Sequence, residues 1–342
     1  MTGEAERFGD ILQKIVNDPK DMVDEAVYGF ICANPQAVCK VEDRRVVKYV
    51  GAPVEGKVGI ISGGGSGHEP AFLGYVGKNM LDAVAIGDIF KTPLVEDYYA
   101  AIKAADSGKG VLCLYGNYKN DIVIVEKAIE LASADGIKVK TVIANDDVAQ
   151  TELSEKRGLT GEVLLWKIGG AAAAAGYDID ETERVCRKAV GQMASIGIGL
   201  SSCIIPTEGR PNYLIEAGTM EIGVGHHGLA SMDTCKLRTG NEIADIMIRE
   251  LEKEFTLSEG EELTVVVSGL GNTMLSELNL LFGRIYNRLT EKDVKIYKAM
   301  VGNFFTSLDM MGVTLTFMRM DEELKRLFAM PAYSPAWGMF NK

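Results

Sequence analysis

Runs of apolar residues alternate along this chain with stretches in which apolar positions recur every three or four residues. Uninterrupted apolar runs predict buried β-strands, and the spaced pattern predicts amphipathic helices. The predicted strands are 57–62, 82–87, 110–114, 138–144, 198–205, 263–268, 295–301 and 313–320, and the helices between them include 95–105, 121–134 and 241–255. This alternation predicts an α/β fold, with mixed or mostly parallel sheets that are flanked by helices.

Length and pattern together predict two domains. The chain has 342 residues, more than the roughly 250 to 300 at which a single core stops growing. A helical pattern over 181–194 is followed by a new strand, so we place the boundary near residue 190. The sequence therefore predicts a first α/β domain over 1–190 and a second over 191–342. An Ala- and Gly-rich segment at 168–176 predicts a closely packed helix, because small side chains let neighbouring elements approach.

Charge and cysteine content narrow the class of protein. The formal charge is −12, from 48 acidic and 36 basic residues, which argues against a nucleic-acid or anionic-membrane binder. No apolar run approaches the roughly 18 residues of a membrane span, and the acidic, polar start of the chain is unlike a signal peptide. Because the six cysteines form no CxxC pair, they are expected to be reduced core residues of a cytoplasmic protein.

The three histidines of the chain all lie in glycine-rich segments. His68 belongs to SGGGSGHEP (62–70), and His226 and His227 belong to GVGHHG (223–228). In an open parallel sheet the loops that leave the carboxyl ends of strands gather at one rim, where ligands bind. SGGGSGHEP follows one predicted strand and GNYKND (116–121) follows another, so both should reach the same rim. The sequence thus groups histidines with a carboxylate at a candidate site.

Each of these segments has a purely structural interpretation beside the functional one. SGGGSGHEP fits neither GK[ST] nor GxGxxG phosphate loops, and it is compatible with a strand-to-helix turn in which Pro70 opens the helix. By spacing alone, Asp121 is better explained as a helix N-cap than as a base. GVGHHG is either a tight turn or the carrier of a nucleophilic imidazole. A metal site formed by His68, Asp121 and His227 is a further alternative, although we expect no metal.

The order of several motifs resembles one known family. The chain is similar to the substrate-binding K subunit of dihydroxyacetone kinases from about residue 20 to its end. The motifs that carry this resemblance, in family order, are GGGSGHEPA (63–71), NYxxD (117–121), DDVA (146–149), RG (157–158), EIGxGxHG (221–228) and SLDMxG (307–312).

The resemblance implies specific roles for residues of this chain. A short ketose would be captured covalently on His227 as a hemiaminal, which separates ketones from polyols such as glycerol. Asp121 would accept a proton from the terminal hydroxyl that is phosphorylated, and His68 would assist as an acid, a base or a hydrogen-bond partner. Backbone at Gly65, Ser66 and Gly67 would line the pocket, together with Gly116. These roles require imidazole as nucleophile and carboxylate as base, which is ordinary chemistry for both groups.

The resemblance also implies what other chains must supply. The sequence has no Walker A motif and no appended helical nucleotide domain, so the chain itself is expected to bind no cofactor. ATP or ADP with Mg²⁺ would be held by an L-type partner subunit, in some systems recharged by a phosphotransferase-system protein. K subunits pair as homodimers. Dihydroxyacetone and erythrulose are the ketoses that we expect, and no nucleic acid or membrane is implied as a partner.

Three departures from the family pattern qualify this interpretation. The usual Lys before NY is Gly116, which removes a charge, opens space and favours a four-carbon ketose such as erythrulose. The usual apolar residue before the capturing histidine is His226, which either tunes His227 or faces solvent. The usual EPG after HG is Leu229 to Ser231. The last change keeps a second hypothesis open, namely a non-catalytic paralogue that senses dihydroxyacetone and acts as a transcriptional co-regulator.

Overall fold

The structure, a computed structural model, describes residues 14–41, 43–227 and 231–339. Its α-helices are α1 (Met22–Ala33), α2 (Val95–Ala105), α3 (Lys119–Ala134), α4 (Gly161–Ala174), α5 (Ile179–Val190), α6 (Gly240–Glu252), α7 (Leu275–Glu291) and α8 (Glu322–Phe328), with a 3₁₀ helix at Leu73–Tyr75. Its strands are β1 (Val38–Lys40), β2 (Val46–Tyr49), β3 (Gly59–Ser66), β4 (Ala83–Ile89), β5 (Val111–Gly116), β6 (Val139–Ala144), β7 (Met193–Gly199), β8 (Ile204–Ile205), β9 (Arg210–Pro211), β10 (Thr219–Ile222), β11 (Asp233–Lys236), β12 (Glu262–Gly269), β13 (Lys295–Gly302), β14 (Gly312–Arg319), β15 (Ala332–Ser334) and β16 (Trp337–Met339).

The first sheet has the strand order β1-β2-β4-β3-β5-β6. Strands β4, β3, β5 and β6 are parallel, whereas β1 and β2 form an antiparallel edge. Successive residues of β3 enter different cores: Ile61 packs with α2 and α3, and Ile60 with α4 and α5. Helices therefore cover both faces, as the apolar runs of these strands predict. The parallel carboxyl ends bring the segments after β3 and β5 to one rim.

The second sheet is mixed, with the order β11-β10-β7-β14-β12-β13. Only β12 and β13 pair in parallel among its described strands, and β14 runs antiparallel to both β7 and β12. Helices α6 and α7 pack on the face that includes Ile196 and Val265. The α/β fold class with two sheets flanked by helices is confirmed. The sheets occupy residues 38–144 and 193–319, and the domain boundary near residue 190 stays a prediction.

Helix α4 lies between the two sheets and contacts β3 and β5 of the first and β7 and β14 of the second. Its side chains are buried from Gly161 to Ala173. A Cβ atom at Gly170 would lie 2.4 Å from the carbonyl oxygen of Asn79, so only glycine permits this approach. The closely packed helix expected from the small residues at 168–176 is present, and it begins seven residues earlier than that segment, at Gly161.

The structure corrects two local predictions. Strand β3 continues through the glycines to Ser66, and a turn and a 3₁₀ helix follow it; Pro70 therefore opens no α-helix. The strand predicted at 198–205 is β7, which runs from Met193 to Gly199, because Met193 and Ala194 of the predicted helix belong to this buried strand; residues 204–205 form the separate β8. Of the six cysteines, Cys113, Cys186 and Cys203 are buried, whereas Cys32 is exposed. In the described residues no helix is both long and apolar enough to cross a membrane.

Candidate active site

A cavity of about 920 Å³ opens at the rim of the first sheet and extends to the glycine-rich loop of the second. Its walls include His68, Asp121, His226 and His227. The structure therefore brings together all the catalytic candidates of the sequence. The two sheets are formed by separate regions of the chain, and both contribute residues to this one site.

His68 follows β3 in a turn that is hydrogen-bonded to the loop before β14. The backbone N–H of Leu308 donates to the Gly67 carbonyl at 2.7 Å, and Gly67 has φ +96°, where glycine is favoured. The Nδ1 atom of His68 lies 2.8 Å from the Thr306 carbonyl oxygen. Because a carbonyl only accepts, Nδ1 carries the proton and Nε2 keeps its lone pair. The ring stacks on Phe90 with 5.0 Å between centroids, which fixes its orientation.

His227 lies in a loop whose backbone is held from several directions. Arg157 donates from Nη2 to the Gly223 carbonyl at 2.8 Å and from Nε to Asp147 at 2.6 Å. Asn212 donates to the carbonyl of His227 itself at 2.9 Å. The His227 ring lies 5.1 Å from the His68 ring and 5.2 Å from the Tyr118 ring, centroid to centroid. The imidazole is thus fixed beside the other site residues.

The environment of the two imidazoles favours their neutral forms. Burial lowers the pKa of His68 to about 3; nearby His227 adds to the fall, and the hydrogen bond to Thr306 opposes it. Burial also lowers the pKa of His227 to about 4, with a further contribution from the Arg157 guanidinium. Desolvation disfavours a charged imidazole, so both rings are uncharged at neutral pH. A neutral His227 has the lone pair that a nucleophile needs.

Asp121 is not the N-cap that its spacing predicts. Tyr118 occupies the N-cap position in an extended conformation, and Asp121 is the third residue of α3. No partner within the described chain binds its buried Oδ1 atom. Burial raises the pKa of Asp121 to about 6, and a hydrogen bond with the Thr92 side chain limits the rise. The carboxylate is therefore a better proton acceptor at neutral pH than an ordinary aspartate.

The glycines before His68 give the cavity its shape. A Cβ atom at Gly64 would lie 2.2 Å from the Phe72 ring, and one at Gly65 would lie 2.7 Å from the backbone nitrogen of Lys91. Gly65 and Gly116 line the cavity. Ser66 and Gly67 were also predicted to line it, but neither residue forms part of the cavity wall between Gly65 and His68. The Ser66 hydroxyl instead donates to the Gly87 carbonyl.

Comparison with known proteins identifies the family. The model of the Dak1 domain matches residues 28–336. The chain belongs to the Dak1 domain family. It is 38% identical to the PTS-dependent dihydroxyacetone kinase 2, dihydroxyacetone-binding subunit DhaK, of Listeria innocua, over 95% of this chain and 98% of that protein. It is 37% identical to the L-erythrulose 1-kinase of Mycolicibacterium smegmatis, over 94% of this chain and 57% of that protein.

One solved structure to which this chain is similar is that of the dihydroxyacetone kinase operon co-activator DhaQ. It matches with a TM-score of 0.86 and 29% identity, over 92% of this chain and 97% of that chain. Proteins named as kinase subunits and a protein named as a co-activator thus share the fold. The family resemblance seen in the motifs is confirmed.

The structure clarifies the second of the Dak1 chain's departures, His226. Its side chain is 1% exposed, so it does not face solvent. The ring stacks on Phe305 with 4.0 Å between centroids and 11° between planes. Neither ring nitrogen has a hydrogen-bond partner among the described residues. His226 is a packed aromatic side chain in the cavity wall. Of the altered loop at 229–231, only Ser231 lies within the described residues.

Sequence reasoning missed two polar residues of the site. Arg157 belongs to the RG motif, but only folding brings it into contact with the histidine loop. Glu162 precedes the helix predicted at 168–176, so no role was predicted for it; it is 1% exposed and lines the cavity. In the described part of the chain, no group of three or more His, Cys, Asp or Glu side chains is arranged to hold a metal ion.

Proposed function

We propose that this Dak1 chain is the ketose-binding subunit of a dihydroxyacetone-type kinase. It captures dihydroxyacetone or a tetrulose on His227, and a nucleotide-bearing L-type partner phosphorylates a terminal hydroxyl. The observation that carries the proposal is the convergence of a neutral, oriented His227, a neutral His68 and an Asp121 of raised pKa on one cavity. The Listeria innocua relative is named as a dihydroxyacetone-binding subunit.

Capture proceeds by attack of a His227 ring nitrogen on the ketone carbon. The new C–N bond forms as the carbonyl π bond breaks, the oxygen gains a proton, and the imidazole loses the proton of its other nitrogen. The product is a neutral hemiaminal that contains all the atoms of the ketose. His68 presents Nε2 as an acceptor for a hydroxyl of the bound molecule, because Nδ1 is occupied by Thr306. Polyols are excluded since they have no carbonyl group.

Transfer requires an acceptor for the proton of the terminal hydroxyl. Asp121 takes this proton as the hydroxyl oxygen attacks the phosphoryl group of the donor, and the bond between that phosphorus and the donor breaks, so that the donor leaves without the phosphoryl group. The nucleotide, ATP or ADP with Mg²⁺, is held by the partner, and a phosphotransferase-system protein is the alternative source of phosphoryl groups. The Listeria innocua relative is named PTS-dependent. Pairing of two copies of this chain and a cytoplasmic location stay predictions.

Intact-mass analysis tests the capture step directly. Incubation with dihydroxyacetone or L-erythrulose should add the mass of one ketose to the wild-type chain and none to His227→Asn. The matched control is His226→Phe, which removes the adjacent imidazole and should keep the adduct. Purified partner, nucleotide and Mg²⁺ should then convert the ketose into its phosphate. Absence of an adduct with every short ketose would reject the proposal.

The co-activator provides a second candidate function. DhaQ matches this chain along 97% of its own length, so the whole fold of this chain also occurs in a protein named as a co-activator. A ketose sensor of this kind would form the His227 adduct but would not support phosphate formation with any nucleotide-binding subunit. It would instead form a stable complex with a transcription factor. Phosphate formation at a rate above that of the partner alone would decide in favour of the kinase.

A further inference from the structure

Glu162 is a buried carboxyl group that the proposed chemistry leaves without a task. It is the second residue of α4, two residues after the N-cap Thr160. Its side chain is 1% exposed and forms part of the cavity wall. Its Oε2 atom has no hydrogen-bond partner among the described residues. A buried polar atom that has no hydrogen-bond partner lowers the stability of the fold. A bound ligand is therefore a candidate for the partner that this atom lacks.

The carboxyl group occupies the place that two glycines leave open. A Cβ atom at Gly116 would lie 2.5 Å from Oε1 of Glu162, and one at Gly158 would lie 2.4 Å from it. A side chain at position 116 would displace the carboxyl group. The space opened by Gly116 is therefore lined by an acid that comes from a different element.

Glu162 lines the same cavity as His227, the residue on which the ketose would be captured. The Tyr118 ring lies 5.2 Å from the His227 ring and reaches within 3.1 Å of the position of a Gly116 Cβ. One side chain thus separates the capturing imidazole from the wall formed by Glu162. Burial raises the pKa of Glu162 well above its ordinary value, and Asp146 and Asp121 add to the rise. A neutral carboxyl group both donates and accepts a hydrogen bond, as a hydroxyl group does.

We propose that Glu162 is a specificity-determining residue whose carboxyl group hydrogen-bonds the additional hydroxyl that a four-carbon ketose has and dihydroxyacetone lacks. The inference rests on the proposed function, since it presupposes a ketose bound at His227. A preference for a four-carbon ketose fits the 37% identity between this chain and a protein named L-erythrulose 1-kinase. Glu162 selects between substrates, and His227 and Asp121 carry out the chemistry.

The test compares the affinities of dihydroxyacetone and L-erythrulose for the full chain, measured by calorimetry and by adduct yield. We expect the wild type to prefer L-erythrulose. Glu162→Met keeps the length of the side chain and should reduce this preference about tenfold, as expected for the loss of one hydrogen bond. Glu162→Gln, which still donates and accepts, should retain most of it. The matched control is Glu250→Gln, another buried carboxyl group, which lies on α6 outside the cavity.

An unchanged preference in Glu162→Met, or equal reductions in the Met and Gln variants, would overturn the inference. Either result is distinct from failure of the proposed function, in which the wild type itself forms no adduct with either ketose. Thermal melts of each variant establish that it is folded before its affinity is compared.

Discussion

The two walls of the cavity respond to burial in opposite ways. On the imidazole wall, desolvation lowers the pKa of His68 to about 3 and that of His227 to about 4. On the carboxyl wall it raises the pKa of Asp121 to about 6 and that of Glu162 further above its ordinary value. Both effects have one cause, since burial disfavours whichever form carries charge.

The difference assigns the two steps of the proposed reaction to different pH ranges. Capture needs only a neutral imidazole, which His227 provides down to about pH 4. Transfer needs an ionised Asp121, and the ionised fraction decreases below about pH 6. A buried cavity can therefore hold a reactive nucleophile over a wide pH range while its base is active over a narrower one.

The substitution Asp121→Asn should separate the functions of the two walls with the largest effect. The amide keeps the shape of the side chain but accepts no proton at neutral pH, so phosphate formation should fall about 10²- to 10⁴-fold. Adduct formation at His227 should persist, because the imidazole wall is unchanged. Rapid-quench measurement of ketose phosphate and intact-mass analysis give the two quantities on the same sample.

The matched control for this substitution is Glu130→Gln, which neutralises an exposed carboxylate on the same helix. It should leave both steps unchanged. Loss of the adduct together with transfer in Asp121→Asn would show that the two walls do not act separately.

A pH series tests the same comparison without mutation. Between pH 8 and pH 5 the adduct yield of the wild type should stay nearly constant, because His227 is neutral throughout this range. The transfer rate should fall about tenfold for each pH unit below 6, because protonation of Asp121 removes the acceptor. Recovery of the rate on return to pH 7.5 controls for denaturation. A parallel fall of both quantities near the ordinary imidazole pKa of about 6.5 would contradict the assignment.

The sequence was sufficient for the fold class and the family, because both depend on local patterns. Buried parallel strands appear as apolar runs, and the spacing of the motifs is read directly. It was insufficient where the determining contact is distant along the chain. Strand β3 continues through glycines, although glycines are weak strand formers. These positions need glycine because Phe72 and other packed groups leave no room for side chains there.

The same limit explains the errors at the site. The start of α3 has no capping side chain, so the sequence placed the helix start too late and made Asp121 a cap. Glu162 looks like one polar residue at the beginning of an apolar helix. Its meaning depends on Gly116 and Gly158, and only folding brings these glycines against its carboxyl group.

The smallest expected effect concerns His226, the residue of the imidazole wall to which the proposed reaction gives no role. His226→Phe keeps a ring against Phe305 and removes two buried nitrogens that have no partner among the described residues. We expect the free energy of unfolding to rise by about 1 kcal/mol, which corresponds to a Tm higher by roughly 2 °C. Scanning calorimetry without ketose measures the change, and His226→Gln, which stays polar and loses the ring, should lower the Tm. A lower Tm in His226→Phe would mean that the nitrogens stabilise the wall, so that both walls depend on buried polar groups.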